Sequence, residues 1–67
     1  MKRLKSSRTT HRWSHGYELE VETYGATRWI KTYRLVNGFV FEARPHLSVG
    51  EAKQYLRSIG QHEEAKL

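Results

Sequence analysis

Side chains alternate in polarity over the segment from residue 17 to residue 24. Tyr17, Leu19, Val21 and Thr23 occupy one phase, and Glu18, Glu20, Glu22 and Tyr24 occupy the other. This period of two predicts a half-buried strand. Residues 26–36 are rich in aromatic and β-branched side chains, which favours a second strand. Asn37-Gly38 is typical of a type I′ turn, so residues 39–44 are expected to return as a third strand that Pro45 ends.

A helical period follows the predicted strands. Ser48 and Glu51 have the spacing of a capping box, and Gly60 supplies a stop at the other end. Between them Val49, Ala52, Tyr55, Leu56 and Ile59 form one apolar stripe. The pattern therefore predicts an α+β fold (β-β-β-α), in which a three-stranded antiparallel β-meander is packed by one C-terminal α-helix. This domain spans residues 13–60, and residues 61–67 are expected to be a frayed tail.

The formal net charge of +5 is concentrated at the N-terminus. Lys2, Arg3, Lys5, Arg8 and Arg12 all precede the first acidic residue, Glu18. The remaining 7 of the 12 Lys and Arg residues balance the 7 Asp and Glu residues. Because residues 1–12 are mainly Lys, Arg, Ser and Thr, they are predicted to be a flexible, disordered basic arm.

The two turns assign the faces of the sheet. A two-residue turn at Tyr24-Gly25 pairs Thr23 with Ala26 and Leu19 with Ile30, and the Asn37-Gly38 turn pairs Arg34 with Phe41. The face toward the helix then holds Tyr17, Leu19, Val21, Arg28, Ile30, Thr32, Arg34, Val36, Phe39, Phe41 and Ala43. The other face holds Glu18, Glu20, Glu22, Thr27, Trp29, Lys31, Tyr33, Leu35, Val40, Glu42 and Arg44. One helix covers one face, so Trp29, Tyr33, Leu35 and Val40 are expected to form an exposed apolar patch.

Composition and spacing exclude several classes of function. The chain has no cysteine, so it has neither disulfides nor a thiolate metal site. His11 and His15 are four apart, but Gly16 opposes the helix that would bring them together. The acids of residues 18–22 line one strand rather than flank a cleft. We therefore predict that the protein is not an enzyme and has no metal or other cofactor.

Targeting signals are also missing from the pattern. No apolar run approaches the length of a membrane span, and the basic N-terminus is not followed by the apolar stretch of a signal peptide. The expectation is a cytoplasmic protein without a membrane partner.

The order of elements resembles two known DNA-binding arrangements. A basic tail, three strands and a helix that opens with Ser48-Val49-Gly50-Glu51-Ala52 are similar to the arm-binding domains of phage-type integrases and to the plant ethylene-response-factor domain. The resemblance covers most of the chain and implies a sheet that enters the major groove of DNA. It assigns no role to an individual residue.

Two hypotheses about function follow. In the first, the protein binds nucleic acid, with DNA favoured: Lys2, Arg3, Lys5, Arg8 and Arg12 contact phosphates, and Lys31 and Arg44 orient the domain. The acids Glu18, Glu20 and Glu22 oppose a phosphate backbone on that face. In the second, Trp29, Tyr33, Leu35 and Val40 anchor a protein target or a second copy of the chain, so that the protein acts as an inhibitor, an adaptor or a homodimer.

Overall fold

A four-stranded antiparallel sheet and one helix make up the computed structural model, which describes residues 6–64. The elements are β1 (Ser6–Arg12), a 3₁₀ turn (Ser14–Gly16), β2 (Tyr17–Tyr24), β3 (Thr27–Val36), β4 (Phe39–His46) and α1 (Val49–Ser58). The strands follow one another in the order β1-β2-β3-β4. The predicted α+β class, antiparallel sheet and C-terminal helix are confirmed. The predicted number of strands is wrong, because the sheet has four rather than three.

The additional strand, β1, comes from the segment assigned to the basic arm. Residues 6–12 pair with β2 from Ser6 opposite Tyr24 to Arg12 opposite Glu18, so this part is ordered rather than disordered. The segment buries little apolar surface, but it satisfies the backbone of β2 and places Arg8 beside the acids of that strand. Lys2, Arg3 and Lys5 lie outside the described residues. The division into arm, domain and tail stays a prediction.

The turn between β2 and β3 lies one residue later than predicted. Gly25 has φ +57° and Ala26 does not have a positive φ, which fits a type II′ turn at Gly25-Ala26. Thr23 is consequently opposite Arg28 instead of Ala26. Each residue of β2 is thus opposite a residue of β3 two positions later than predicted. Because side chains alternate with a period of two, each one stays on its predicted face, and the predicted faces of β2 and β3 hold.

The turn between β3 and β4 has the predicted geometry. Asn37 (φ +53°) and Gly38 (φ +81°) both have the positive φ of a type I′ turn, and Val36 is opposite Phe39. The strand continues past Pro45 to His46 because β4 lies at an edge of the sheet. On an edge strand the missing N–H of a proline can face away from the neighbouring strand.

A β-bulge near Phe41 exchanges the faces of most of β4. Arg34 is opposite Glu42 rather than Phe41, because the register shifts between Arg34 and Leu35. After the extra residue, Glu42 and Arg44 lie on the helix side of the sheet and Ala43 lies on the other. The predicted faces of these three residues are therefore wrong.

The core is small and lies between the sheet and α1. Its buried apolar side chains are Trp13, Leu19, Ile30, Ala52 and Leu56. Trp13, which the sequence leaves unplaced, is 1% exposed. The helix begins with the predicted cap, since the Glu51 N–H donates to Ser48 Oγ at 3.1 Å. It ends in a Schellman motif at Gly60, where the Gln61 N–H donates to the Leu56 carbonyl at 2.9 Å.

The segment after the helix returns to the sheet over residues 61–64. Ser14 N–H donates to the His62 carbonyl at 2.8 Å, and Glu64 N–H donates to the Arg12 carbonyl at 3.1 Å. Ser14 Oγ also donates to Gln61 Oε1 at 2.7 Å. These bonds hold the end of the described chain against the end of β1.

Candidate functional site

The face of the sheet that α1 does not cover, here called the open face, gathers most of the predicted site residues. By strand register it comprises Ser6, Arg8, Thr10, Arg12, Glu18, Glu20, Glu22, Tyr24, Thr27, Trp29, Lys31, Tyr33, Leu35, Val40, Ala43 and Pro45. It thus carries three cations and three carboxylates. The balance of charge depends on how these groups are paired.

A hydrogen bond between side chains of β2 and β3 lies in the middle of the open face. Tyr33 Oη donates to Glu20 Oε1 at 2.7 Å, and Glu20 is only 8% exposed. Burial, together with the carboxylate of Glu20, raises the pKa of Tyr33 to about 12. The phenol therefore remains a donor at neutral pH, and Glu20 is withdrawn from solvent.

Arg8 lies within ion-pair distance of two of the acids without a hydrogen bond to either. Its Nε lies 3.7 Å from Glu20 Oε2, and its Nη2 lies 3.8 Å from Glu22 Oε2. These separations are longer than a charge-assisted hydrogen bond, and the Arg8 side chain is 65% exposed. Only the guanidinium is exposed, since the two carboxylates are 11% and 13% exposed, and it is free to turn toward another anion.

Glu22 is held by a second neighbour. Tyr24 Oη donates to Glu22 Oε2 at 2.8 Å. This hydrogen bond, with the nearby charges of Arg8 and Lys31, lowers the pKa of Glu22, and the same bond raises the pKa of Tyr24. The carboxylate stays ionised at neutral pH, but a phenol and two cations surround it.

These contacts build a mixed aromatic and basic corner at one end of the open face. We call the set Ser6, Arg8, Glu22, Tyr24, Trp29 and Lys31 the Trp29 corner. Arg8, Glu22 and Trp29 are in one row across three strands, and Lys31 is the next open-face residue after Trp29 on β3. Trp29 is 55% exposed and Tyr24 is 46% exposed. Shallow grooves run between Ser6 and Tyr24 and between Tyr24 and Lys31.

Strand β1 begins at this corner. Ser6 is its first residue and lies opposite Tyr24. Lys2, Arg3 and Lys5 directly precede it in the sequence. Exposed aromatic rings next to cations can stack flat bases and neutralise phosphates, which is the chemistry of single-strand binding surfaces.

The other residues predicted to bind nucleic acid lie elsewhere. Arg12 is exposed at the far end of β1, opposite Glu18. Arg44 lies on the helix side, where its guanidinium is 5.0 Å from the ring centre of Tyr55 and its Nε donates to Glu42 Oε1 at 3.3 Å. Because of the bulge, Arg44 and Lys31 are on opposite faces and do not act on one ligand.

The predicted protein-binding patch is not continuous. Trp29 and Val40 are exposed at opposite ends of the open face, while Tyr33 and Leu35 between them are half-buried. The Leu35 carbonyl packs so closely on Gly16 that an added Cβ would lie 2.7 Å from its oxygen. The hydroxyl of Tyr33 is hydrogen-bonded to Glu20. Exposed apolar surface is therefore confined to the two ends of the patch, at Trp29 and Val40.

Sequence reasoning missed two features that matter here. Tyr24 belongs to the Trp29 corner, and its phase in the β2 alternation already placed it on the open face. The second feature is an exposed group at the end of the β3–β4 hairpin, Val36, Phe39, Val40 and Phe41, here called the hairpin end. No local signal reveals it, because the exposure of Phe41 depends on the bulge.

The described part of the chain, residues 6–64, has no group of three metal-ligating side chains. None of its helices is long and apolar enough to cross a bilayer. Comparison of the chain with protein-family models, curated proteins and solved structures gives no match.

Proposed function

We propose that this protein is a non-enzymatic module that binds single-stranded nucleic acid at the Trp29 corner. The observation that carries the proposal is the pair of exposed rings, Trp29 and Tyr24, on the same corner of the open face as Arg8 and Lys31. The rings stack on bases, and the cations of the corner and of residues 2–5 neutralise phosphates.

A single strand fits the open face better than a duplex does. A duplex with its major groove on the sheet would bring phosphates over the whole open face, including Glu18, which repels them. A single strand needs only the corner and the N-terminal segment. There the Glu22 carboxylate accepts a hydrogen bond from the Tyr24 hydroxyl, and the positive charges of Arg8 and Lys31 lie near it.

The direct experiment is a titration of labelled oligothymidine with the protein, followed by fluorescence anisotropy. Loss of one stacked base costs about 1–3 kcal/mol, so Trp29→Ala is expected to weaken binding roughly 5- to 150-fold. Phe39→Ala is the matched control, because Phe39 is another exposed aromatic residue (77%) but lies at the hairpin end. Equal affinities for the two variants would refute a binding site at the corner.

Salt dependence tests the role of charge in the same assay. Binding of single strands weakens with salt in proportion to the number of neutralised phosphates, at about 0.7 in the log–log slope per contact. Arg8→Gln is expected to reduce the slope by roughly that amount. Arg34→Gln, an exposed arginine on the helix side, should leave the slope unchanged. Identical slopes for both variants would exclude Arg8 from the interface.

The hairpin end supports a second candidate function, self-association. Among the residues that the structure describes, eight large hydrophobic side chains are exposed and five apolar ones are buried in the core. Four of those eight are at the hairpin end: Val36, Phe39, Val40 and Phe41. A second copy that covers these four would enlarge a small core. Light scattering over a range of protein concentrations tests the idea: the wild type should dimerise and a Phe39→Glu variant should not. A wild-type monomer at every concentration would contradict it.

A further inference from the structure

The two edges of the sheet differ in their capacity to accept another strand. On β4 the bulge at Phe41 interrupts the edge, and Pro45 has no N–H to offer. Proline and bulges are the usual means of blocking edge-to-edge pairing. Over its seven residues β1 has neither proline nor a break in its register with β2.

The backbone geometry shows which groups of β1 point outward. Trp13 N–H donates to the Tyr17 carbonyl at 2.8 Å, so residue 13 faces β2, and by alternation so do residues 11, 9 and 7. The even-numbered residues face the free edge. Arg12 shows this directly, because its carbonyl accepts from Glu64 N–H at 3.1 Å. Ser6, Arg8 and Thr10 therefore present their N–H and C=O groups outward.

The chain itself starts a fifth strand at one end of this edge. Trp13 and Glu63 form an antiparallel bridge, flanked by the bonds from Ser14 to His62 and from Glu64 to Arg12. The segment that pairs here carries two acids, Glu63 and Glu64, and it meets a basic strand. Apart from the Arg12 carbonyl, the outer edge of β1 has no backbone partner among the described residues.

We propose that an extended acidic segment of a partner protein adds to this edge as a strand along Ser6–Thr10. Main-chain hydrogen bonds to Ser6, Arg8 and Thr10 supply the affinity, and an acidic side chain opposite Arg8 supplies selectivity. A second copy is a poorer occupant, because antiparallel pairing of Ser6–Thr10 with itself places the two Arg8 residues opposite each other. The site shares Ser6 and Arg8 with the Trp29 corner, but it binds through outward backbone groups of β1 and does not use the ring of Trp29.

The experiment measures amide hydrogen exchange by NMR with a defined probe, a synthetic peptide of about ten residues in which Glu and Val alternate. On addition of the peptide, the amides of Arg8 and Thr10 should exchange at least about tenfold more slowly. Those of Thr9 and His11 should change little, because they already bond to β2. Slowing of all four amides alike, or of none, would overturn the proposal.

Two controls separate strand addition from attraction between charges. The same peptide N-methylated at alternate residues, on the side that pairs, keeps every charge and should lose binding. Thr10→Pro removes an outward N–H that β2 does not use, so it should keep the fold and abolish peptide binding, whereas Thr10→Ala should retain it. Binding of the methylated peptide or of the Thr10→Pro variant with undiminished affinity would refute the proposal.

Other occupants of the edge would be recognised in the same measurements. Protection of Arg8 and Thr10 that grows with protein concentration alone would assign the edge to a second copy and overturn the proposal. Protection by oligothymidine and not by the peptide would assign it to nucleic acid, with the same consequence. Trp29→Ala should weaken oligothymidine binding only, so the proposed function and the edge proposal can fail independently.

Discussion

Removal of the Tyr33 hydroxyl tests whether the hydrogen bond at the centre of the open face stabilises the fold. Tyr33→Phe leaves the ring in place but deprives Glu20 of a donor at 2.7 Å. Since the Glu20 side chain is 11% exposed, water replaces that donor poorly. Hydrogen bonds to charged groups contribute about 1.5–3 kcal/mol, so the free energy of unfolding should fall by about 2 kcal/mol at neutral pH.

Tyr24→Phe is the matched control for this substitution. It removes a bond of similar length, 2.8 Å to Glu22, from a tyrosine that is 46% exposed, where water can substitute. The expected loss is much smaller than that of Tyr33→Phe, because water can reach the exposed Tyr24 hydroxyl. Urea unfolding followed by the fluorescence of the buried Trp13 measures both variants. Because the acceptor side chains are 11% and 13% exposed, the two variants differ mainly in the donor, which is half-buried for Tyr33 and exposed for Tyr24. Equal losses for Tyr33→Phe and Tyr24→Phe would refute the inference that burial of the donor makes the hydrogen bond important.

Three further outcomes are expected. Gly16→Ala should lower the free energy of unfolding by about 2–4 kcal/mol more than Gly60→Ala does, as measured in urea. Both glycines have a positive φ, but of the two only Gly16 lies where an added Cβ would meet a backbone oxygen, at 2.7 Å. Equal losses for the two variants would contradict the close packing at Gly16. Burial lowers the pKa of His46 below its ordinary 6.5, so its neutral form stabilises the fold above pH 6.5 and this contribution is lost as the pH falls through the lowered value. Stability should therefore drop more steeply on acidification for the wild type than for His46→Gln, and parallel curves would exclude His46. Leu56→Ala should cost about 2–5 kcal/mol in thermal or urea unfolding, since Leu56 is fully buried in a small core; a loss below about 1 kcal/mol would contradict its position there.

Local signals predicted the elements that depend on local physics. The alternation from Tyr17 to Tyr24 gave the bounds of β2, because its period of two is uninterrupted. The Asn37-Gly38 turn and the Ser48 cap also formed as expected, since each is stabilised by the conformation or hydrogen bonds of adjacent residues. The predicted faces of β2 and β3 are correct although the turn between them was misplaced by one residue. The error shifts the register by two positions, which leaves each side chain on the same face.

Features that depend on distant partners could not be predicted in this way. The segment forming β1 has no apolar alternation, and it is a strand because the edge of β2 offers backbone partners and acids to Arg8. The bulge at Phe41 turns His46 inward, where it contacts Thr32 at 2.9 Å and the ring of Tyr55, and no residue near Phe41 signals this. One extra residue thereby moved Arg44 out of the predicted nucleic-acid site.

The sequence identified individual residues of the candidate site but not their positions relative to one another. Arg8, Lys31 and Trp29 were identified by charge and exposure, but they were divided between two competing hypotheses. Only the pairing of β1 with β2 brings Arg8 into one row with Trp29. The opposing effect of the acids was foreseen, and the structure shows that Arg8 and Tyr24 offset it at Glu22.

The tryptophan emission of the protein during a titration with oligothymidine tests the central claim most directly. Trp13 is 1% exposed and Trp29 is 55% exposed, so the two residues emit from apolar and aqueous surroundings, respectively. Base stacking at the Trp29 corner predicts selective quenching of the long-wavelength emission, with a midpoint that rises steeply with salt, and loss of this quenching in Trp29→Phe. Binding of the oligonucleotide without a change in the Trp29 emission, or no binding at low salt, would contradict the account.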